Sequence, residues 1–194
     1  MEMTFPHDPI VAVTHLDPYP YYADLVAHKP IYHDETQGLW IVSSAAAVNA
    51  VLTSDLCRVR PLTEPIPKTL LGSPAAAIFG SLVRMNDDKG HFPFKQVISA
   101  TLQSIDAIHL TDQSQRWAQF LFDKAPSGSC SDFAFQLSVY IVASLLGVPH
   151  DMLQPTASWV RDFVSCLAPS SSPEQVERGK EAADHLRDLF RSLL

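Results

Sequence analysis

The sequence predicts a mainly α-helical fold with one small β-hairpin. Helical spacing of apolar residues recurs through the second half of the chain, interrupted only by turn signals at Gly147–Pro149 and at APSSSP (168–173). Strand character is confined to two short apolar runs, Ile31–His33 and Leu39–Val42, which flank ETQG (35–38). A hydrophobic content of 46% against 18% charged over 194 residues is enough for one domain with a real core, and argues against disorder.

In chain order, residues 1–17 read as an irregular lead-in carrying Pro6 and Pro9. A short helix follows over 19–27, with Asp17 as its cap, Pro20 in a first turn that tolerates it, and its end before Pro30. Gly38 gives the hairpin turn its freedom. Ser44 caps AAAVNAVL (45–52). Cys57–Asn86 reads as a long connection, with Pro61, Pro65, Pro67, Gly72, Pro74 and Gly80; connections of this length seldom lack a role.

The next helix opens at Asp87 or Asp88, either of which suits an N-cap, and carries His91 and Lys95. An i, i+4 pair shares one helix face, so these two side chains offer donors to one anionic group near the positive end of the helix. A surface His beside a solvated Lys is the plain account of the same spacing. Ala107–Lys124 is amphipathic, with Trp117, Phe120 and Leu121 facing inward. Ser131–Leu146, capped by Ser131, is apolar nearly all round and therefore needs neighbours. Gly147 ends it and Pro149 prevents its continuation. Asp151–Leu167 and Pro173–Leu194 complete the chain. Pro173, Glu174 and Glu177 mark the start of the last helix, and Arg187 and Arg191 suit its end.

Several function classes are disfavoured. A net charge of -7 without a dense Lys/Arg cluster speaks against nucleic acid or an anionic membrane as partner. The most apolar run, Phe133–Val148, is too short and too often interrupted to span a bilayer, and MEMTFPHDP lacks the features of a signal peptide. Three irregularly spaced cysteines form neither a disulfide framework nor a zinc motif, and point to a cytoplasmic location. Eight scattered histidines make no metal cluster. There is no G-x-S-x-G elbow and no phosphate-binding Gly-Lys-Ser/Thr loop.

Four segments occur in order: DPYPYYADL (17–25), GLWIVSSAAAVNAVL (38–52), RMNDDKGHFPFK (84–95) and DFAFQLSVYIVASLLGVPHDML (132–153). Together they resemble the N-terminal half of a soluble, bacterial-type cytochrome P-450, the heme-thiolate monooxygenase family. The resemblance implies a single incomplete domain over 1–194, which stops before the oxygen-activating helix and the heme-ligand loop. It implies heme as cofactor, with His91 and Lys95 on its propionates. Lys95 stands where Arg is more usual, so charge is kept but the planar fork is lost. It implies a substrate-facing role for Ile78, Phe79 and Leu82, ordinary loop packing being the alternative.

The family's thiolate comes from a Cys in F-x-x-G-x-x-x-C, and this chain has none: Cys130 has Asp123 and Pro126 at the Phe and Gly positions, and Cys57 and Cys166 lie in other settings. No E-x-x-R is present, and no acidic-glycine-threonine segment. The expectation is therefore a piece of a monooxygenase of small apolar substrates that is inactive alone. Its C-terminal half would lie on a second chain, and a ferredoxin or flavoprotein reductase would serve as redox partner if it is catalytic. The alternative is a remnant, or half of a split protein, acting only as a binding module.

Overall fold

The structure, a computed structural model, describes residues 6, 8–13, 15–125, 128–168 and 171–194, and only the backbone of 88–90. It is mainly helical with one two-stranded antiparallel sheet, as the periodicity predicts. Among the described residues no helix is long and apolar enough to cross a membrane. The chain divides into two compact units, Met1–Arg58 and Val59–Leu194.

In the first unit, part of the predicted irregular lead-in is a one-turn helix, α1 (Pro9–Ala12). Asp8 caps it by accepting from the Ile10 amide at 2.7 Å. In α2 (Tyr19–His28) the cap position falls to Pro18, one residue after the expected Asp17, whose carboxylate still accepts from the Tyr19 amide at 3.3 Å. Strands β1 (Ile31–Asp34) and β2 (Leu39–Val42) pair with Ile31 opposite Val42 and Asp34 opposite Leu39. The Asp34 carboxylate closes the turn by accepting from the Thr36 hydroxyl and the Thr36 and Gln37 amides. Those bonds hold its pKa below the usual carboxylate value. Gly38 takes the positive φ of 64° that the turn needs. Ser44 caps α3 (Ala45–Leu52) as expected, accepting from the Ala47 amide at 3.3 Å. Ala12, Tyr21 and Leu25 form a small core with Tyr32 and Ile41 against it.

In the second unit, the predicted long connection contains a 3-10 turn at Lys68–Leu70, a helix α4 (Pro74–Ser81) and a second 3-10 turn at Val83–Met85. Pro74 does not break α4 but starts it, since its missing N–H falls where no intrahelical bond is due. Then follow α5 (Asp88–Gln103), α6 (Ala107–Lys124), α7 (Cys130–Leu145), α8 (Leu153–Ser165) and α9 (Pro173–Ser192). Asp106 caps α6. The cap position of α7 is Ser129, two residues before the expected Ser131, because the helix begins at Cys130. A 3-10 turn at His150–Met152 occupies the expected first turn of the next helix. Ser172 and Gln175 form a reciprocal capping box on α9, with bonds of 3.2 and 2.8 Å. Of the APSSSP break, residues 169 and 170 lie outside the described residues.

Two apolar clusters make the core of this unit. One joins α4, α8 and α9 through Leu70, Phe79, Phe163, Cys166, Val176 and Leu186. The other joins α6, α7, α8 and α9 through Leu121, Tyr140, Leu153, Ala157 and Leu189. Trp159 touches both. Leu121 is buried and Trp117 half-buried, but Phe120 stands at the exposed rim. The neighbours that the apolar sequence of α7 calls for cover only part of it: Tyr140 and Ala143 are buried, whereas Val142, and Leu146 at its C-cap, are 56% and 53% exposed.

Candidate functional site

The candidate site is built on the N-terminal half of α5 and the segments that hold it. Asp87 sits at the N-cap, but its side chain does not cap the helix. Its carboxylate instead accepts from the Val59 amide at 3.2 Å. The alternative cap, Asp88, has its side chain outside the described residues. Beside this contact, Arg60 donates to the Asn86 side-chain oxygen at 3.0 Å and to the Pro65 carbonyl at 2.7 Å. Its guanidinium also lies over the Phe79 ring, 5.9 Å from the centroid. Asn86 uses its Nδ2 on two carbonyls, Gly80 at 3.0 Å and Leu82 at 2.8 Å. Asn86 also donates its backbone N–H to the Val83 carbonyl at 3.1 Å, which closes the 3-10 turn.

That same Val83 carbonyl lies 3.0 Å from His91 Nδ1. A carbonyl oxygen can only accept, so Nδ1 carries the hydrogen and Nε2 is left for another partner. Lys95 lies one turn further along α5, exposed, and has no carboxylate within ion-pair distance among the described residues. It borders a shallow recess with Phe92, Gln96, Ser99, Ala100 and Gln103. The helix is thinly supported. No side chain between His91 and Gln103 is buried, and Phe92, Phe94 and Val97 are 63%, 57% and 66% exposed. Pro93 within the helix removes one further backbone donor.

The three residues expected to face a substrate lie beside this site, in and around the core. Phe79 is buried in the cluster with α8 and α9; Ile78 and Leu82 are partly buried and pack on its edge. The large apolar groove lies elsewhere, between α7, α8 and α9. It has a volume of about 540 Å³ and is lined by Phe135, Val139, Val142, Thr156, Val160 and Phe190 among others. Residue spacing alone did not single it out. Positions 135, 139, 142 and 146 follow helical spacing, but on a helix apolar nearly all round no one face stands out. Arg60 and Asn86 were missed for another reason: their link spans 26 residues, and no local pattern announces it.

The cysteines differ in kind. Cys57 and Cys130 are exposed, whereas Cys166 is buried and donates its Sγ–H to the Phe163 carbonyl at 3.0 Å. Burial pushes the Cys166 thiol up from its ordinary pKa. Among the described residues, no group of three or more His, Cys, Asp or Glu side chains is placed to hold a metal ion.

Among solved structures, the chain is similar to the crystal structure of CalO2, with a TM-score of 0.68 and 23% sequence identity. The match covers 95% of this chain and 47% of that one, so this chain spans about half the length of that structure. At this identity the likeness shows a shared fold. No protein-family model matches the sequence. No curated protein matches it either.

Proposed function

We propose that residues 1–194 are the N-terminal half of a cytochrome P-450-type fold and supply the part that holds the propionates of heme. The observation that carries this reading is the His91–Lys95 pair on one face of an exposed helix, with the His91 ring tethered through Nδ1. A protonated His91 can donate from Nε2, and Lys95 adds a mobile cationic donor one turn away. Two such groups suit two carboxylates carried on one rigid macrocycle. The order of the four sequence segments supports the same reading, and the match to 47% of a solved structure supports its being part of a longer fold.

With a thiolate on its iron, heme supplies the dioxygen chemistry of the whole enzyme, oxidising a small apolar substrate with electrons from a ferredoxin or flavoprotein reductase. This chain's residues fit the propionate side only. Cys166 is closed in the core and bonded to Phe163, and Cys57 and Cys130 lack the F-x-x-G-x-x-x-C setting. The thiolate must come from sequence outside 1–194, such as a C-terminal half on a second chain, and residues 1–194 have no turnover by themselves. Ile78 and Leu82 are the substrate-side residues of this reading, backed by Phe79. A second reading, a binding or interaction module without turnover, is favoured by the exposed apolar faces of α5 and α7.

Heme titration of the chain, followed by reduction under carbon monoxide, tests both. Saturable binding is expected, weakened about tenfold in His91→Ala and in Lys95→Gln, which is the worth of one charged hydrogen bond. No thiolate-type Soret shift is expected. Absence of binding overturns the heme reading and leaves the interaction module. A thiolate-type spectrum overturns the assignment of the iron ligand to sequence outside 1–194.

A further inference from the structure

We propose that Arg60 and Asn86 are positioning residues for His91, acting through the carbonyl of Val83 to fix which ring nitrogen His91 presents. The inference rests on the proposed anion-holding role of His91 for its purpose, but on hydrogen bonds alone for its geometry.

The Asn86 side chain is saturated in one orientation. Its two Nδ2 hydrogens go to the Gly80 and Leu82 carbonyls and its Oδ1 accepts from Arg60. Turning the amide over would set an oxygen against two carbonyls and an NH₂ against a guanidinium, so the network admits one assignment. Aspartate cannot supply the two donors, and glutamine is one methylene too long for the same three contacts. The result is a closed turn over 82–86 in which the Val83 carbonyl takes the Asn86 amide on one side and His91 Nδ1 on the other. Arg60 clamps the outer end, with its other bond to Pro65 and its plane over Phe79. The adjacent Val59 amide to Asp87 contact ties the same strand of chain to the start of α5.

On the α5 side packing does not do this work, because α5 buries no side chain from His91 onward; the turn itself also rests on the core through Leu82 and Met85. A ring whose Nδ1–H is committed to Val83 leaves Nε2 as its free nitrogen, an acceptor when the ring is neutral and a donor when it is protonated. Without the clasp, the carbonyl is free to turn and the ring to take its other tautomer, placing the hydrogen on Nε2.

Nitrogen-15 NMR of the histidine rings tests this in the full chain, at pH about 8, where ordinary imidazoles are neutral. Wild-type His91 is expected in the Nδ1–H form. Asn86→Ala is expected to move it toward the Nε2–H form. A merely structural Asn86 would lower the melting temperature and leave the tautomer unchanged. If Asn86→Ala does not fold, Arg60→Gln, which keeps both Asn86 donors, carries the test with a mixed tautomer expected. An unchanged Nδ1–H form in the folded variants overturns the clasp, even where wild-type heme binding stands. A tautomer that follows Asn86 in a chain that binds no heme supports the clasp and overturns the proposed function instead.

Discussion

Replacing Gly179 by alanine tests how closely α8 and α9 approach. Gly179 is buried on α9, and a Cβ built there would overlap the side chain of Cys166 and stand 3.1 Å from the Asp162 carbonyl oxygen. Neither neighbour yields easily. The carbonyl is held by the Cys166 amide at 3.2 Å, and Cys166 is buried in the core. Two effects oppose each other. Alanine is better than glycine in a helix by about 1 kcal/mol. Overpacking a rigid contact costs roughly 1–3 kcal/mol, and backbone against a Cβ belongs at the upper end. The net is a loss of about 1–2 kcal/mol, or roughly 2–8 °C in melting temperature for a chain of this size. The fluorescence of Trp159 is the natural assay, since its ring stacks on His185 of α9 with centroids 4.8 Å apart. Cys166→Ala in the same chain removes only the sulfur, so partial recovery is expected. A Gly179→Ala chain as stable as the parent, or more so, would refute the close approach, because helix propensity would then act unopposed.

Other consequences follow from burial and exposure. Cys57 and Cys130 should react at once with a disulfide reagent and Cys166 only on unfolding; three fast thiols would contradict its place in the core. Burial pushes both the Cys166 thiol and the Tyr21 hydroxyl up in pKa. Their stabilising share is therefore full below the ordinary thiol and phenol ranges and is lost as the pH rises through them. Urea midpoints at pH about 7 and about 10 should fall less in Cys166→Ala and Tyr21→Phe than in the parent. On α7, Val142→Lys should change stability by under about 0.5 kcal/mol, whereas Leu153→Ala on α8 should cost about 2–5 kcal/mol; comparable losses in chemical denaturation would mean that the groove is closed. Amides of α5 should exchange hydrogen far faster than those of α8 and α9, and equal protection would contradict its thin support.

Where the sequence was legible, a local rule sufficed. Two short apolar runs flanking ETQG, with Gly38 in the turn, placed the hairpin, and Ser44 and Pro173 marked helix starts that the structure keeps. Ala107–Lys124 is a helix over its whole predicted span. The failures share one cause, the neighbour that sequence does not show. Pro74 read as a loop residue because proline breaks helices, yet at the first position it begins one. Asp87 read as a cap because aspartate usually caps, but its carboxylate is engaged by Val59. The burial of Phe79 was likewise not legible, because the α8 and α9 residues that enclose its ring lie far along the chain. The i, i+4 spacing of His91 and Lys95 was legible, but a heme-side role came only from the resemblance, and the Arg60–Asn86 contact behind the Val83 turn is encoded by no periodicity.

The distribution of burial explains why the candidate site is laced with hydrogen bonds. Core contacts concentrate where α4, α8 and α9 meet, and α5 touches mainly the turn before it. A helix with exposed Phe92, Phe94 and Val97 gains little from the hydrophobic effect within this chain, so its direction must be set at its end. The bonds from Val59, Arg60 and Asn86 do this at the start of the helix, where a small error in angle moves Lys95, one turn beyond His91, more than His91 itself. Polar geometry has an advantage there, because hydrogen bonds fix direction and apolar contact does not. The apolar side of α5 is thereby left exposed in residues 1–194, while the His91 ring is already tethered through Nδ1 to the Val83 carbonyl.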